Sequence, residues 1–223
     1  MNGMTGVLFF ATMGTVLVAC RESTPPSQGT SREASLVATS HPRVVGVEVT
    51  LAHGTDDEVR TREQLLRILG THDVARWMLT RQVIIDRESI PHSHPVLTLH
   101  TRHLNDDLLL LSTFIHEQAH WHAEAHEAEL ATAVSQLRAL IPGLPVGYPD
   151  GAVTDVSSYE HLVIIALEEN GLRQLIGELA TRQVMAFWST DHYRALYQYV
   201  LSNGPRVREI MRTNGLTFPP TGS

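Results

Sequence analysis

The chain has 223 residues, 43% of them hydrophobic and 18% charged, with a formal net charge of −7 at pH 7. All 17 basic residues are Arg and none form a basic cluster, which argues against nucleic acid as a partner. A lone cysteine, Cys20, excludes both an intrachain disulfide and a thiolate metal site, so any metal must be held by carboxylates and by some of the 13 His.

The chain opens on a targeting segment. Val7 to Ala19 is an uninterrupted stretch of apolar and small residues. At about 13 residues it is short for a membrane span and suited to a signal peptide, although Met1 to Gly6 carries no Lys or Arg. It ends in Leu17-Val18-Ala19-Cys20, which resembles the bacterial lipobox. That resemblance implies cleavage of residues 1–19, lipidation of the Cys20 thiol and a lipid-anchored place in the bacterial cell envelope. Residues 20–42, rich in Ser, Thr, Pro, Arg and Glu, read as a flexible tether. Residues 43–218 remain, enough for one domain with a sizeable core. Beyond the leader no stretch is long and apolar enough to span a bilayer.

Val44–Leu51 alternates and is β-branched, which predicts a strand. Asp56–Leu69 reads as a helix capped by Thr55 or Asp56 and ended by Gly70; Asp73–Thr80 reads as a shorter one. Gln82–Ile85 and Val96–Thr101 are expected to pair as a hairpin across a loop holding Pro91 and Pro95. From Asp107 to about Leu140 there is neither Pro nor Gly, so one long helix is expected. A Pro/Gly loop, 141–155, follows; loops of that length in compact domains are often functional. Helices are expected at Ser157–Glu169, Leu172–Phe187, Asp191–Asn203 and near Val207–Thr213. Three strands and helices in blocks give an α+β fold, predominantly helical.

The long helix carries the chemistry. His116-Glu117-Gln118-Ala119-His120 sets two imidazoles four residues apart, on one helix face, beside a carboxylate. Two neutral imidazoles at that spacing can share a Zn²⁺, with Glu117 as the neighbouring general base. The segment resembles the HExxH helix of the zincin metallopeptidases, and Thr113, Phe114, Gln118, Ala119 and Trp121 match the extended pattern; His122 departs from it. A small three-stranded sheet ahead of a long HExxH helix also matches the zincin plan. In that family the strand nearest the site, Val96–Thr101 here, lines the substrate cleft. Thr113 to about Tyr197 further resembles a group of uncharacterised bacterial proteins that share a His-Glu-Gln-x-His-Trp helix and a later Tyr-x-His-Leu helix.

A catalytic zinc takes three protein ligands and keeps one position open. His126 completes the span of the metzincin motif, but Ala123 stands where that family has the Gly that turns the chain out of the helix. On a continuous helix His126 is rotated away from His116 and His120. His161 and Glu168, seven apart, share a face of the next helix and resemble the downstream ligand helix of the gluzincins, though its Glu-x-x-x-Asp pattern is missing. His161 is the preferred third ligand, with Glu168 holding an imidazole by its N–H; Glu160 and Glu168 are the alternative ligands. Zincins often stabilise the oxyanion with a His or Tyr from a later helix, where His192, Tyr193 and Tyr197 are available. His92 and His94, in the loop between the strands, form a further His pair and are expected to be solvated surface.

The expected function is that of a zinc-dependent hydrolase acting on a peptide or other amide, with Glu117 taking a proton from the zinc-activated water. The competing expectation is a non-catalytic envelope lipoprotein that uses the metal as a staple or buffers it, marked by a closed site with four protein ligands.

Overall fold

A computed structural model describes residues 46–218; the leader, Cys20 and the tether lie outside the described residues. The order is β1 (Glu48–Leu51), α1 (Asp56–Thr71), β2 (Gln82–Ile85), β3 (Leu97–Leu99), α2 (Asp107–Glu124), α3 (Glu127–Leu140), α4 (Asp155–Asp191) and α5 (Arg194–Thr213). Short 3₁₀ turns occupy Ala75–Trp77 and Thr101–His103. The fold is α+β and mostly helical, with a small three-stranded sheet. Among the described residues no helix is long and apolar enough to cross a membrane.

The sheet runs β1-β2-β3 and every pairing is parallel, with Val49 opposite Val83 and Ile85 opposite Leu99. The expected hairpin between β2 and β3 is therefore not formed. The loop 86–96 carries the chain back along the sheet instead. His92 makes the antiparallel step against Thr98 from within that loop, each N–H donating to the other's carbonyl (3.1 and 2.8 Å). Apolar alternation specifies which face of β3 is buried but not the direction of its neighbour.

Helix α1 starts at a capping box: Thr55 Oγ1 accepts from the Glu58 N–H while Glu58 accepts from the Thr55 N–H. Glu58 does more than cap. Its buried carboxylate also accepts the backbone N–H groups of His53 (3.1 Å) and Arg87 (3.2 Å), pinning the loops that follow β1 and β2 to one point. Burial pushes its pKa up, but the three backbone donors and nearby His53 outweigh that and hold it below 4.5.

Four expected helix assignments change. The 73–80 segment is helical only at Ala75–Trp77, because the Gln118 amide binds it from α2, accepting from Leu79 and Thr80 N–H and donating to the Thr80 carbonyl. The long helix breaks at Ala125–His126. There the His126 imidazole Nδ1–H donates to the His122 carbonyl (2.8 Å) and releases the backbone at φ −131°, ψ 46°. The helices expected on either side of Gly171 are one run, with the kink at Gly177 (φ 80°). Gly171 stays helical because α4 approaches closely there; a Cβ would lie 3.0 Å from the Trp77 indole and 3.1 Å from Ile115. The last two expected helices form the single α5, kinked at Asn203 ahead of Pro205.

The core forms around α2, which is buried on all sides from Leu109 to Ala119 and packs against α4. Loop 141–154 is tied down rather than free. Ser158 Oγ–H donates to the Pro145 carbonyl (2.8 Å), and Arg194 and Ala195 N–H donate to the carbonyls of Pro149 and Asp150.

Glu58→Gln should lower unfolding stability at pH 7 by about 1–3 kcal/mol, because an amide cannot accept from three N–H groups. The folded-state pKa lies below 4.5, so this contribution is complete above that value and is lost as pH falls through the folded pKa. Urea titrations from pH 7 downward check both points: the wild-type and variant midpoints should differ at pH 7, and the difference should shrink as the pH falls through the folded pKa. Equal midpoints at pH 7 contradict the assignment.

Candidate metal centre

α2 and α4 bring three imidazoles together. His116 and His120 project from successive turns of α2, and His161 faces them from the second turn of α4. Ring centroids are 5.1 Å apart for His116–His120, 5.0 Å for His120–His161 and 6.1 Å for His116–His161. One ring nitrogen from each lies within 4.8 Å of the other two, and among the described residues no further His, Cys, Asp or Glu belongs to this group.

Burial, reinforced by neighbouring imidazoles, drives all three pKa values down: His116 to about 3, His120 to about 2 and His161 to about 4. The rings are thus neutral at physiological pH, which is the ligating form. Two of them are also held in a definite tautomer. His116 Nδ1–H donates to Glu168 Oε2 (2.9 Å), and His161 Nδ1–H donates to the Ser157 carbonyl (2.8 Å). In each, Nε2 is left with its lone pair free.

Glu168 is completely buried and takes three hydrogen bonds. Ser112 Oγ–H donates to Oε1 (2.5 Å), while Tyr197 O–H (2.9 Å) and His116 both donate to Oε2. Burial raises its pKa to about 7 against the lowering effect of Ser112 and Tyr197. The donor chain continues to Trp188, whose indole N–H donates to Ser112 Oγ (2.8 Å).

Glu117 is different. It is 5% exposed, accepts no hydrogen bond among the described residues, and lines the same cleft as the imidazoles. Burial, with the Glu168 charge added, pushes its pKa up to about 8. A divalent cation on the three imidazoles would supply the positive charge that this carboxylate lacks, so the donor set fits zinc in both ligand type and charge.

The cleft is about 690 Å³ in volume and also holds His192 and Tyr193. Tyr193 stands in the left-handed region (φ 48°, ψ 34°), uncommon for a bulky residue, with its ring 4.5 Å from His161. Burial and the Glu117 charge raise its pKa. His192 is set by a hydrogen-bonded chain: its Nδ1–H donates to Asp191 Oδ2 (2.8 Å), and Asp191 Oδ1 accepts from Arg102 (2.7 Å). The wall behind it is Trp188, edge-on at 4.9 Å.

Other candidates fall elsewhere. His126 is occupied by the His122 carbonyl and stacked on the His122 ring at 4.3 Å, outside the group. Glu160 is half-buried in a neighbouring concavity with Glu124 and Glu127. The Tyr197 hydroxyl, a possible oxyanion donor by sequence, is taken by Glu168. His94 is not free surface; it stacks on Trp121 at 4.1 Å and pairs with Glu124. His92 is held by the Ile90 carbonyl. His53, Glu58 and Asp86 form a second group of possible ligands, but three backbone N–H groups already occupy Glu58. Ser112, Trp188 and Asp191 escaped the sequence reading. Asp191 had one signal, its position directly before His192, whereas Ser112 and Trp188 had none.

No protein-family model, no curated protein and no solved structure matches this chain.

Substituting His116, His120 or His161 by Ala should abolish stoichiometric zinc binding, while His126→Ala and Glu160→Ala should retain it. Metal content of the dialysed proteins decides. Retention by His161→Ala, or loss in His126→Ala, would reassign the third ligand.

Proposed function

We propose that this chain is a zinc-dependent hydrolase of zincin type, acting on peptide or other amide bonds. One observation carries the reading: three neutral imidazoles converge in a cleft beside Glu117, a buried carboxylate to which no described residue donates. Zinc held there by His116, His120 and His161 would supply Lewis-acid polarisation of a carbonyl and a more acidic water.

The chain's own residues supply the rest. Glu117 accepts a proton from the attacking water and delivers it to the leaving amine, as a general base and then an acid. Tyr193 O–H donates to the oxygen that gains charge, and His192, in the same cleft, is the second side chain placed to contact it. Asp191 and Arg102 hold the His192 ring at the cleft wall. Glu168 fixes the His116 tautomer.

The mouth of the cleft favours a polymer with apolar side chains. Ile90 (81% exposed), Tyr148 (84%) and Val153 (88%) stand on its rim, from the two loops 86–96 and 141–154. Apolar residues left in water around a concave site are characteristic of a binding surface. The competing reading, a closed structural or storage site, requires a fourth protein donor. Among the described residues the group has three, and His126 points its Nδ1 to a backbone carbonyl. The lipid anchor at Cys20 is part of the proposal, and with it a place in the bacterial envelope.

Glu117→Gln should keep its zinc and lose hydrolysis of a quenched-peptide library by about 10²–10⁴-fold. Turnover unchanged by that substitution removes Glu117 from the mechanism. His192→Ala should lower kcat by about 10²–10³-fold with little change in KM, since the interaction forms with the developing charge. An effect confined to KM would assign His192 to substrate binding instead.

A further inference from the structure

The donors on Glu168 come from three helices. Ser112 lies on α2, one turn before His116; Trp188 lies on the arm of α4 beyond the Gly177 kink; Tyr197 lies in the first turn of α5. Their hydrogen bonds form one connected set: Trp188 to Ser112, Ser112 to Oε1, and Tyr197 to the same Oε2 that receives His116 Nδ1–H. Ser112 and Glu168 are 0% exposed, Tyr197 1% and Trp188 3%. A donor removed there leaves a buried acceptor short of a partner.

We propose that Tyr197 and the Ser112–Trp188 pair are positioning residues for the metal centre, acting through Glu168. The docking of α5 and of the distal arm of α4 would then set how firmly His116 holds the ion. The inference rests on the zinc reading above. Its physical basis is the geometry of a carboxylate. With one donor, the group can rotate about its last torsion and carry the His116 ring with it. With donors on both oxygens from separate helices, rotation breaks at least one buried hydrogen bond. Tyr197 also packs in the core, so a structural effect of its loss must be separated from an effect transmitted through Glu168.

A double-mutant cycle makes that separation. The dissociation constant for Co²⁺ is measured by competition with a chelator, and the d–d absorption of the bound ion is recorded alongside. Tyr197→Phe and Ser112→Ala should each raise that constant about 10-fold and alter the cobalt spectrum. In a Glu168→Ala background the same substitutions should change it by less than about twofold, because the carboxylate that transmits the effect is gone. An unchanged constant in the wild-type background, or the same factor in both backgrounds, overturns the positioning role and leaves the metal centre standing. A wild-type protein that takes up neither Co²⁺ nor Zn²⁺ overturns the zinc reading itself, and this inference with it. Should Tyr197→Phe fail to fold, Ser112→Ala carries the cycle alone.

Discussion

The hydrogen bond from His116 Nδ1–H to Glu168 joins the two helices on which the candidate site depends. α2 supplies two imidazoles on its own, by the four-residue spacing of His116 and His120. The third must come from α4, and its position depends on how the two helices are packed and in what register. Gly171 permits the close approach, since a Cβ there would meet Trp77 and Ile115. Glu168, two turns after His161, then reaches His116 across the interface. The interaction that orients the His116 ring is thus also one that locks the helix pair.

Two buried carboxylates stand beside the imidazoles in opposite circumstances. Glu168 is surrounded by donors and fully enclosed, which suits a fixed acceptor. Glu117 has no donor among the described residues and opens on the cleft, and burial, with the Glu168 charge, raises its pKa to about 8. Two side chains of one type thus stand in contrasting environments, which is the pattern expected where one carboxylate is structural and the other is free for chemistry. Tyr193 adds a cost of its own, since its left-handed backbone is unfavourable for an aromatic residue. Strain of that kind persists where surrounding structure enforces it and is concentrated at functional sites.

Much of the site was legible because it follows from helical periodicity. The spacing of His116 and His120, and the shared face of His161 and Glu168, are properties of a helix that hold wherever the helix goes. His116 and His120, paired by spacing, and His161, preferred on resemblance, do come together. What could not be read depended on contacts between distant segments. The break at His126 is made by an imidazole capping the His122 carbonyl, and nothing in an Ala- and Glu-rich run foretells it. Gly171 signals a helix end by propensity but serves a close crossing, and the kink falls at Gly177 instead. The direction of β3 was lost for a related reason: alternation reports a buried face, while the route of loop 86–96 decides parallel or antiparallel. Ser112 and Trp188 look like ordinary helix residues until α2 and α4 are packed together.

X-ray absorption at the zinc edge, combined with anomalous diffraction from zinc-loaded crystals, tests the central claim most directly. The account predicts one ion with three imidazole nitrogens at about 2.0–2.1 Å, from His116, His120 and His161, and a fourth position filled by a light atom that is not from the protein. Four protein donors on the ion, or an ion bound elsewhere while these three rings diverge, would contradict it.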